Sequence, residues 1–223
     1  MQQPEQQTDF RYLLIALLFL FVSVPLADDF GLMTAPAARA LIFSTLLIIG
    51  VWSLRGGGRY FTVGMALAVL GIVLNVVAIN MQSVALQFCS LLALTCFLLG
   101  AFSFTLNQVV FGTEVNANRL IGAVCVYLLL GSIWALAYTL LNMLDPGSFA
   151  GFVPASGPGW NSEWLYFSFV TMTTLGYGDI LPISATARAL AYLQAVVGQF
   201  YIAVLVAGLV GAYIGNRQKG GAD

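Results

Sequence analysis

The chain has 223 residues, of which 60% are hydrophobic and only 8% are charged, and its mean hydropathy is +0.93. Soluble domains carry about 25% charged residues, so this composition excludes a water-soluble fold and predicts an integral membrane protein. The net charge is -1 and histidine is absent, which leaves no basic surface for nucleic acid and no imidazole for metal binding or acid–base catalysis. We therefore expect neither an enzyme nor a cofactor or soluble substrate.

Charges and polar turns divide the chain into six apolar segments, and a spanning helix needs about 20 such residues. The predicted spans are residues 12–27, 36–54, 61–79, 84–111, 120–144 and 189–216. An alternative for the short first segment is a signal peptide cleaved near Ala27, although no basic stretch precedes it and the cleavage site is poor.

A shorter apolar segment, residues 162–173, lies between the fifth and sixth spans. It follows a loop, residues 145–160, that is rich in Gly, Pro and Ser and is expected to face water. Asn161 or Ser162 can cap the segment, and Glu163 suits the positive end of a helix. Because it is too short to span, we predict a re-entrant helix whose non-helical continuation is enclosed by protein or lines an aqueous cavity.

The continuation of this helix is the motif Thr173-Thr174-Leu175-Gly176-Tyr177-Gly178-Asp179. Successive carbonyls can line one pore only if alternate residues turn toward positive φ, and glycine does so most cheaply. Gly176 and Gly178 have that spacing. The motif resembles the selectivity filter of the potassium channel superfamily, in particular its ion channels with a two-helix pore, with Leu175 where the best-known version has valine.

This resemblance implies a filter that selects K⁺, the permeant ion. The backbone oxygens of Thr174, Leu175, Gly176 and Tyr177 are its expected ligands and would replace the water shell of K⁺. The Thr174 hydroxyl would add the innermost site, and Gly178 would let the chain turn toward the outer mouth. The side chains of Leu175 and Tyr177 are expected to point away from the pore and to pack behind the filter.

Four further residues are expected to support the filter: Thr173, Asp179, Tyr166 and Val170. In the family, the aspartate accepts a hydrogen bond from an aromatic residue of the pore helix. Many relatives have tryptophan where Tyr166 stands, and a phenol donates with a different reach. Val170 takes a place that is acidic in some bacterial relatives, so that side-chain support is missing.

The last span is expected to line the inner pore of a homotetramer, because one chain supplies one of four filter strands. Its candidate hinge or gate residues are Gly198, Ala207 and Gly211. Gly198 matches the hinge glycine of the family, and a hinge and close packing explain it equally well. Small residues recur every four positions, which favours helix packing over a dedicated gate. They are Ala203, Ala207, Gly211 and Gly215.

The resemblance divides the chain into an accessory region, residues 1–118, with four membrane helices, and a pore domain, residues 119–223. A voltage sensor needs several basic residues on its fourth helix, each contributing about 2.3 kcal/mol per 100 mV. Residues 84–111 contain no arginine or lysine. We therefore predict an all-α channel with six membrane helices, a re-entrant pore helix and a filter loop, and with weak voltage dependence.

An outward-facing filter would place both termini in the cytoplasm and the chain in the cell membrane. Six of the eight basic residues then lie inside, and only Arg39 and Arg188 lie outside, as the positive-inside rule expects. The acidic residues on the outer side are Asp28, Asp29, Asp145, Glu163 and Asp179. The expected partners are three further copies of the chain and membrane lipid, without nucleic acid.

Three other functions remain open at this point: a non-selective cation channel, a subunit of a potassium-uptake transporter, and a non-conducting membrane scaffold. Tyr177 argues against the first, because non-selective relatives often replace this tyrosine. The single filter motif argues against the second, whose relatives carry four such loops in one chain. The intact motif disfavours the third but does not demonstrate conduction.

Overall fold

A computed structural model describes residues 10–30, 44, 59–111, 116–151 and 162–219 of the chain. In chain order, its helices are α1 (Phe10–Asp29), α2 (Arg59–Met81), α3 (Val84–Phe111), α4 (Ala117–Leu144), α5 (Ser162–Met172), α6 (Ala185–Phe200) and α7 (Ala207–Lys219). A π-helical turn, Tyr201–Val206, joins α6 to α7. Two strands of two residues each, β1 (Phe149–Ala150) and β2 (Leu181–Pro182), complete the described elements.

Five helical stretches of the described chain are long and apolar enough to cross a membrane. They are α1, α2, α3, α4 and the continuous stretch Ala185–Gly215, so five of the six predicted spans are confirmed as helices. Apart from residue 44, the predicted second span, residues 36–54, lies outside the described residues. The protein is therefore a mostly helical membrane protein.

Polar side chains hold the junction between α3 and α4. Asn116 caps α4 by accepting the Arg119 amide at 3.0 Å, as short polar residues do at helix starts. The Arg119 guanidinium donates to the carbonyls of Val109 and Val110, at 2.5 Å and 2.7 Å, in the last turn of α3. A cation suits this end of a helix, because its last carbonyls have no partner within the helix. One basic residue thus fixes the end of α3 against the start of α4.

Helix α1 packs directly on α4 and α5. The Phe10 amide donates to Asn118 Oδ1 at 2.9 Å, and a Cβ added to Gly122 would lie 2.8 Å from the Phe10 ring. Farther along, the Phe21 ring meets Phe169 of α5 edge-on, with 5.1 Å between ring centroids. The first helix therefore covers the back of the short helix that leads into the filter motif.

Helices α4 and α5 enclose an aromatic core together with β1. Tyr138, Phe149, Trp164 and Phe167 are buried there, with ring centroids 4.9–5.7 Å apart and edge-on packing. This geometry suits aromatic quadrupoles. The core places α5 at a fixed position beside α4.

The predicted loop 145–160 contributes one strand, β1, to a short antiparallel ribbon that sequence analysis did not foresee. β1 pairs with β2, with Phe149 opposite Pro182 and Ala150 opposite Leu181. Two-residue strands leave no alternating pattern in the sequence, so only the pairing itself reveals them. The Ile183 amide extends the contact by donating to the Ser148 carbonyl at 2.8 Å. The ribbon ties the segment after the filter motif to the segment after α4.

The last span differs from the single uninterrupted helix that was predicted. It begins at Ala185, because Ser184 caps it by accepting the Ala187 amide at 3.1 Å. It changes to π geometry at Tyr201–Val206. The Tyr201 hydroxyl donates to the Ala123 carbonyl of α4 at 2.6 Å at the start of this turn. A π turn inserts an extra residue into the helix, so the four-residue repeat of small residues does not run along one straight α-helical face.

Candidate functional site

The filter motif has an alternating backbone. Thr174, Gly176 and Gly178 have positive φ, of +59°, +58° and +78°. The expectation of positive φ at the two glycines is confirmed. Thr174 was missed, since a β-branched residue is strongly disfavoured in this conformation. Its φ is imposed by the surrounding bonds and not by its own preference.

Those bonds come from the end of α5. The amides of Leu175 and Gly176 both donate to the Val170 carbonyl, at 3.0 Å and 3.3 Å, and the Thr174 amide donates to the Thr171 carbonyl at 3.0 Å. Within the described residues, no hydrogen bond reaches the carbonyls of residues 174–177. Three amides of the motif are therefore bonded to α5, while the carbonyls of residues 174–177 accept no bond from the described part of the chain.

Thr173 and Val170 are placed next to this strand but act through different groups. The Thr173 hydroxyl donates to the Phe169 carbonyl at 2.7 Å, so it prolongs α5 by a bond within the helix. Val170 is buried and supports the strand through its carbonyl. A backbone acceptor therefore remains although the acidic side chain of some relatives is missing.

Tyr166 and Asp179 meet across the motif, as the resemblance implied. The Tyr166 hydroxyl donates to Asp179 Oδ2 at 2.5 Å, and the Ile180 amide donates to Oδ1 at 3.0 Å. The Tyr177 ring lies parallel to Tyr166, with centroids 6.4 Å apart and 8° between planes. Tyr177 therefore packs toward the helix behind the motif.

This hydrogen bond shifts both pKa values in the directions its chemistry requires. It lowers the pKa of Asp179, because the phenol stabilises the carboxylate. The same bond raises the pKa of Tyr166 to about 12, because a neighbouring carboxylate disfavours a phenolate. The pair is consequently a neutral phenol donating to a charged carboxylate over the whole physiological range.

The ribbon holds the outer end of the motif. Gly151, just after β1, has a φ of +79°, and a Cβ there would lie 1.8 Å from the Asp179 carbonyl oxygen. Only a residue without a side chain permits this approach. Asp179 is thus held by Tyr166 on one side and by the backbone of the ribbon on the other.

Gly198 packs closely against the end of α5. A Cβ added there would lie 2.6 Å from Met172 Cγ and 2.7 Å from the Met172 carbonyl oxygen. Close approach is therefore a sufficient reason for glycine at this position, and a hinge role stays a prediction. Ala207 and Gly211 are exposed on the described chain, and a Cβ on Gly211 would meet nothing within 4 Å.

Comparison with a family model covers the part of the molecule that contains this site. Residues 122–214 match the family model described as an ion channel. Two-pore potassium channel 3 of Arabidopsis thaliana is 44% identical over 57 residues, which make up 26% of this chain and 13% of that relative. Part of the chain is thus similar to ion channels and, over a shorter stretch, to a potassium channel. No solved structure matches it.

The structure also shows a buried polar residue that sequence analysis missed. Gln194 of α6 is fully buried, and its Nε2 donates to the carbonyl and hydroxyl oxygens of Ser168 at 3.0 Å and 2.7 Å. Its Oε1 accepts the Tyr138 hydroxyl at 2.5 Å. The signal in the sequence was an amide side chain within a mostly apolar span, where polar side chains form bonds between helices.

Proposed function

We propose that four copies of this chain form a potassium-selective channel that conducts K⁺ passively across the cell membrane. The observation that carries the proposal is the alternating backbone of residues 174–178, in which the amides of residues 174–176 bond to α5 while the carbonyls of residues 174–177 accept no bond from the described residues. Carbonyl dipoles so arranged can replace the hydration shell of K⁺ without placing a full charge in the membrane.

In this proposal, the backbone oxygens of Thr174, Leu175, Gly176 and Tyr177 coordinate K⁺. The Thr174 hydroxyl adds the innermost site, and Gly178 turns the chain toward the outer mouth. Tyr177, stacked beside Tyr166, contributes only its backbone oxygen. The filter would then select K⁺ by geometry that the surrounding protein maintains.

The exposed surface of one chain supports the tetramer. Tyr177 is 67% exposed and Leu175 is 56% exposed, although the filter is non-helical backbone that must be enclosed within a membrane. The last span also exposes large apolar side chains, with Phe200 at 64% and Val204 at 66%. Four chains around one axis would cover these residues and surround the ion.

The chain then divides into an accessory region, residues 1–118, and a pore domain, residues 119–223. The family match, residues 122–214, falls within the second part. Helix α3 carries no basic residue, so we propose that the membrane potential does not drive opening through this helix. The outward-facing filter would place both termini in the cytoplasm, consistent with the positions of the basic residues.

Flux through purified protein in liposomes tests the proposal. Vesicles loaded with K⁺ and diluted into Na⁺ should show a protein-dependent K⁺ efflux that builds a negative interior potential, which a voltage-sensitive dye reports. Empty vesicles are the control. An absence of K⁺ flux, or an equal flux of Na⁺, would contradict the proposal.

A further inference from the structure

Three helices of the pore domain meet at one buried hydrogen-bond network. Gln194 of α6, Ser168 of α5 and Tyr138 of α4 are all at most 1% exposed. The Ser168 hydroxyl also donates to the Gly131 carbonyl of α4 at 2.7 Å. We name this set, Gln194, Ser168, Tyr138 and the Gly131 carbonyl, the polar strap.

The polar strap satisfies both ends of the glutamine amide. Nε2 donates to Ser168 on α5, and Oε1 accepts from Tyr138 on α4. A buried amide that loses its partners costs about 1–3 kcal/mol, so sliding or rotation of α6 against α5 is opposed by an energy that apolar contacts would not supply. The polar strap therefore fixes the position and rotation of α5 against α6. Burial of apolar side chains alone would not fix them.

A second contact lies one turn farther along both helices. Gly198 and Met172 approach so closely that a Cβ on Gly198 would reach the Met172 backbone. Gln194 and Gly198 are four residues apart on α6, as Ser168 and Met172 are on α5, and that spacing places each pair on one helical face. Two successive contacts thus hold the last turns of α5.

Val170 lies between these two contacts. Its carbonyl receives the amides of Leu175 and Gly176 at 3.0 Å and 3.3 Å. Any rotation of the end of α5 would move this carbonyl and, with it, the two amides. The orientation of the Leu175 and Gly176 carbonyls therefore depends on where the polar strap holds α5.

We infer that Gln194 is a positioning residue for ion selectivity, which acts on the filter through Ser168 and Val170 without touching the ion. The inference rests on the proposed function. It adds Gln194 of α6 to the residues that set the geometry of the filter. An apolar side chain of similar size could fill the same space. It would not fix the rotation of α5.

The variant Gln194→Met separates these two roles, because methionine has a similar length and no amide. The K⁺/Na⁺ permeability ratio is measured from the reversal potential of wild type and variant under bi-ionic conditions in planar bilayers. We expect the variant to assemble as a tetramer with a ratio lower by about tenfold or more, a change in filter geometry worth about 1.4 kcal/mol. Ser168→Ala should lower the ratio in the same direction. The double variant should be no worse than the worse single variant, because both changes break the same link.

Thr139→Val is the matched control. Thr139 is as buried as Ser168 and adjoins Tyr138, but its hydroxyl bonds only to the Ala135 carbonyl of its own helix, at 2.9 Å. Its permeability ratio should equal that of wild type. If Gln194→Met does not assemble, Ser168→Ala decides the question, because alanine removes only the hydroxyl.

If the wild type is selective and the assembled variants keep its permeability ratio, this inference is wrong, whereas the proposed function is not contradicted. An equal fall of the permeability ratio in Thr139→Val would also overturn the inference, because the loss of any buried hydroxyl group would then lower selectivity. A wild type that does not distinguish K⁺ from Na⁺ would instead contradict the proposed function and this inference together.

Discussion

Side-chain hydrogen bonds differ between the accessory and pore regions of this protein. In the described part of α1–α3, four polar side chains, those of Ser23, Asn80, Thr95 and Ser103, bond back to their own helix. In the pore region, Gln194, Ser168, Tyr138 and Tyr201 bond to other helices. Bonds within a helix leave its neighbours unspecified, whereas bonds between helices fix their positions.

Membrane helices associate without a hydrophobic driving force between them, so close packing and polar bonds determine their arrangement. The pore region has both, and the accessory helices are joined to it mainly by apolar contacts and by bonds between a side chain and the backbone at Phe10 and Arg119. We therefore expect matched substitutions to have large effects in the pore region and small effects in the accessory region.

The largest contrast is expected between two glycine-to-alanine changes. Gly176 has a φ of +58°, whereas Gly100 lies within helix α3, and an added Cβ meets nothing within 4 Å at either position. Alanine at Gly176 would cost about 1–2 kcal/mol per chain through its backbone conformation alone. Gly176→Ala should abolish K⁺ current in bilayers and leave the tetramer intact, while Gly100→Ala conducts normally. A selective current in Gly176→Ala would contradict the filter geometry.

A second contrast uses the same control at a tightly packed site. Gly198→Ala places a Cβ within 2.7 Å of the Met172 carbonyl oxygen, and such overpacking costs about 1–3 kcal/mol. The midpoint for thermal dissociation of the detergent-solubilised tetramer should fall by several degrees relative to Gly100→Ala. Equal midpoints would show that α6 is free to move away from α5.

Loss of the Tyr166 hydroxyl should have a smaller effect, on how long the filter conducts. Tyr166→Phe keeps the ring stacked on Tyr177 but removes the bond to Asp179. We expect normal selectivity at first, followed by faster decline of K⁺ current during sustained recording. Tyr192→Phe, at an exposed position on α6, should decline at the wild-type rate. If the K⁺ current declined at the same rate in both variants, the bond between Tyr166 and Asp179 would have no role in sustaining conduction.

The same bond predicts a broad pH plateau. The pKa of Asp179 is lowered below its ordinary value of 3.8 by the Tyr166 hydroxyl, so the contribution of the bond is present above that value and is lost as pH falls through the folded-state pKa. The pKa of Tyr166 is raised from 10.0 to about 12, so its contribution is present below 10 and is lost above 12. Current stability measured from pH 5 to 9 should be constant, and a decline centred near pH 6 or 7 would refute this pairing.

The smallest effect is expected in the accessory region. Ser103 donates at 2.7 Å to the Leu99 carbonyl of its own helix, so Ser103→Ala should change the free energy of tetramer dissociation by less than about 0.5 kcal/mol. Ser168→Ala, which breaks bonds between helices, is the matched change in the pore region. If Ser103→Ala destabilised the tetramer more than Ser168→Ala does, the proposed contrast between the two regions would be wrong.

The sequence predicted features that a short stretch of chain determines by itself. The bounds of Val84–Phe111 were predicted correctly, because polar residues interrupt the apolar run at both ends. The positive φ of Gly176 and Gly178 followed from steric preference. The contact between Tyr166 and Asp179 followed only from the family resemblance, because 13 residues separate the two side chains.

Features that arise from contacts distant in sequence were missed. Thr174 takes a positive φ because of its position after α5, and the ribbon at Gly151 exists only through pairing across the filter. The hydrogen-bond partners of Gln194 lie 26 and 56 residues away, so no local sequence pattern predicts them. The π turn at Tyr201–Val206 likewise depends on the neighbouring helix that Tyr201 contacts.

The central claim is that backbone carbonyls of residues 174–177 select K⁺ in a tetramer of this chain. The most direct measurement is the reversal potential of the purified wild-type protein in a bilayer with K⁺ on one side and an equal concentration of Na⁺ on the other. We predict a reversal potential displaced far from zero in the direction of K⁺ selectivity. A reversal potential at zero, with current carried equally by both ions, would contradict the account.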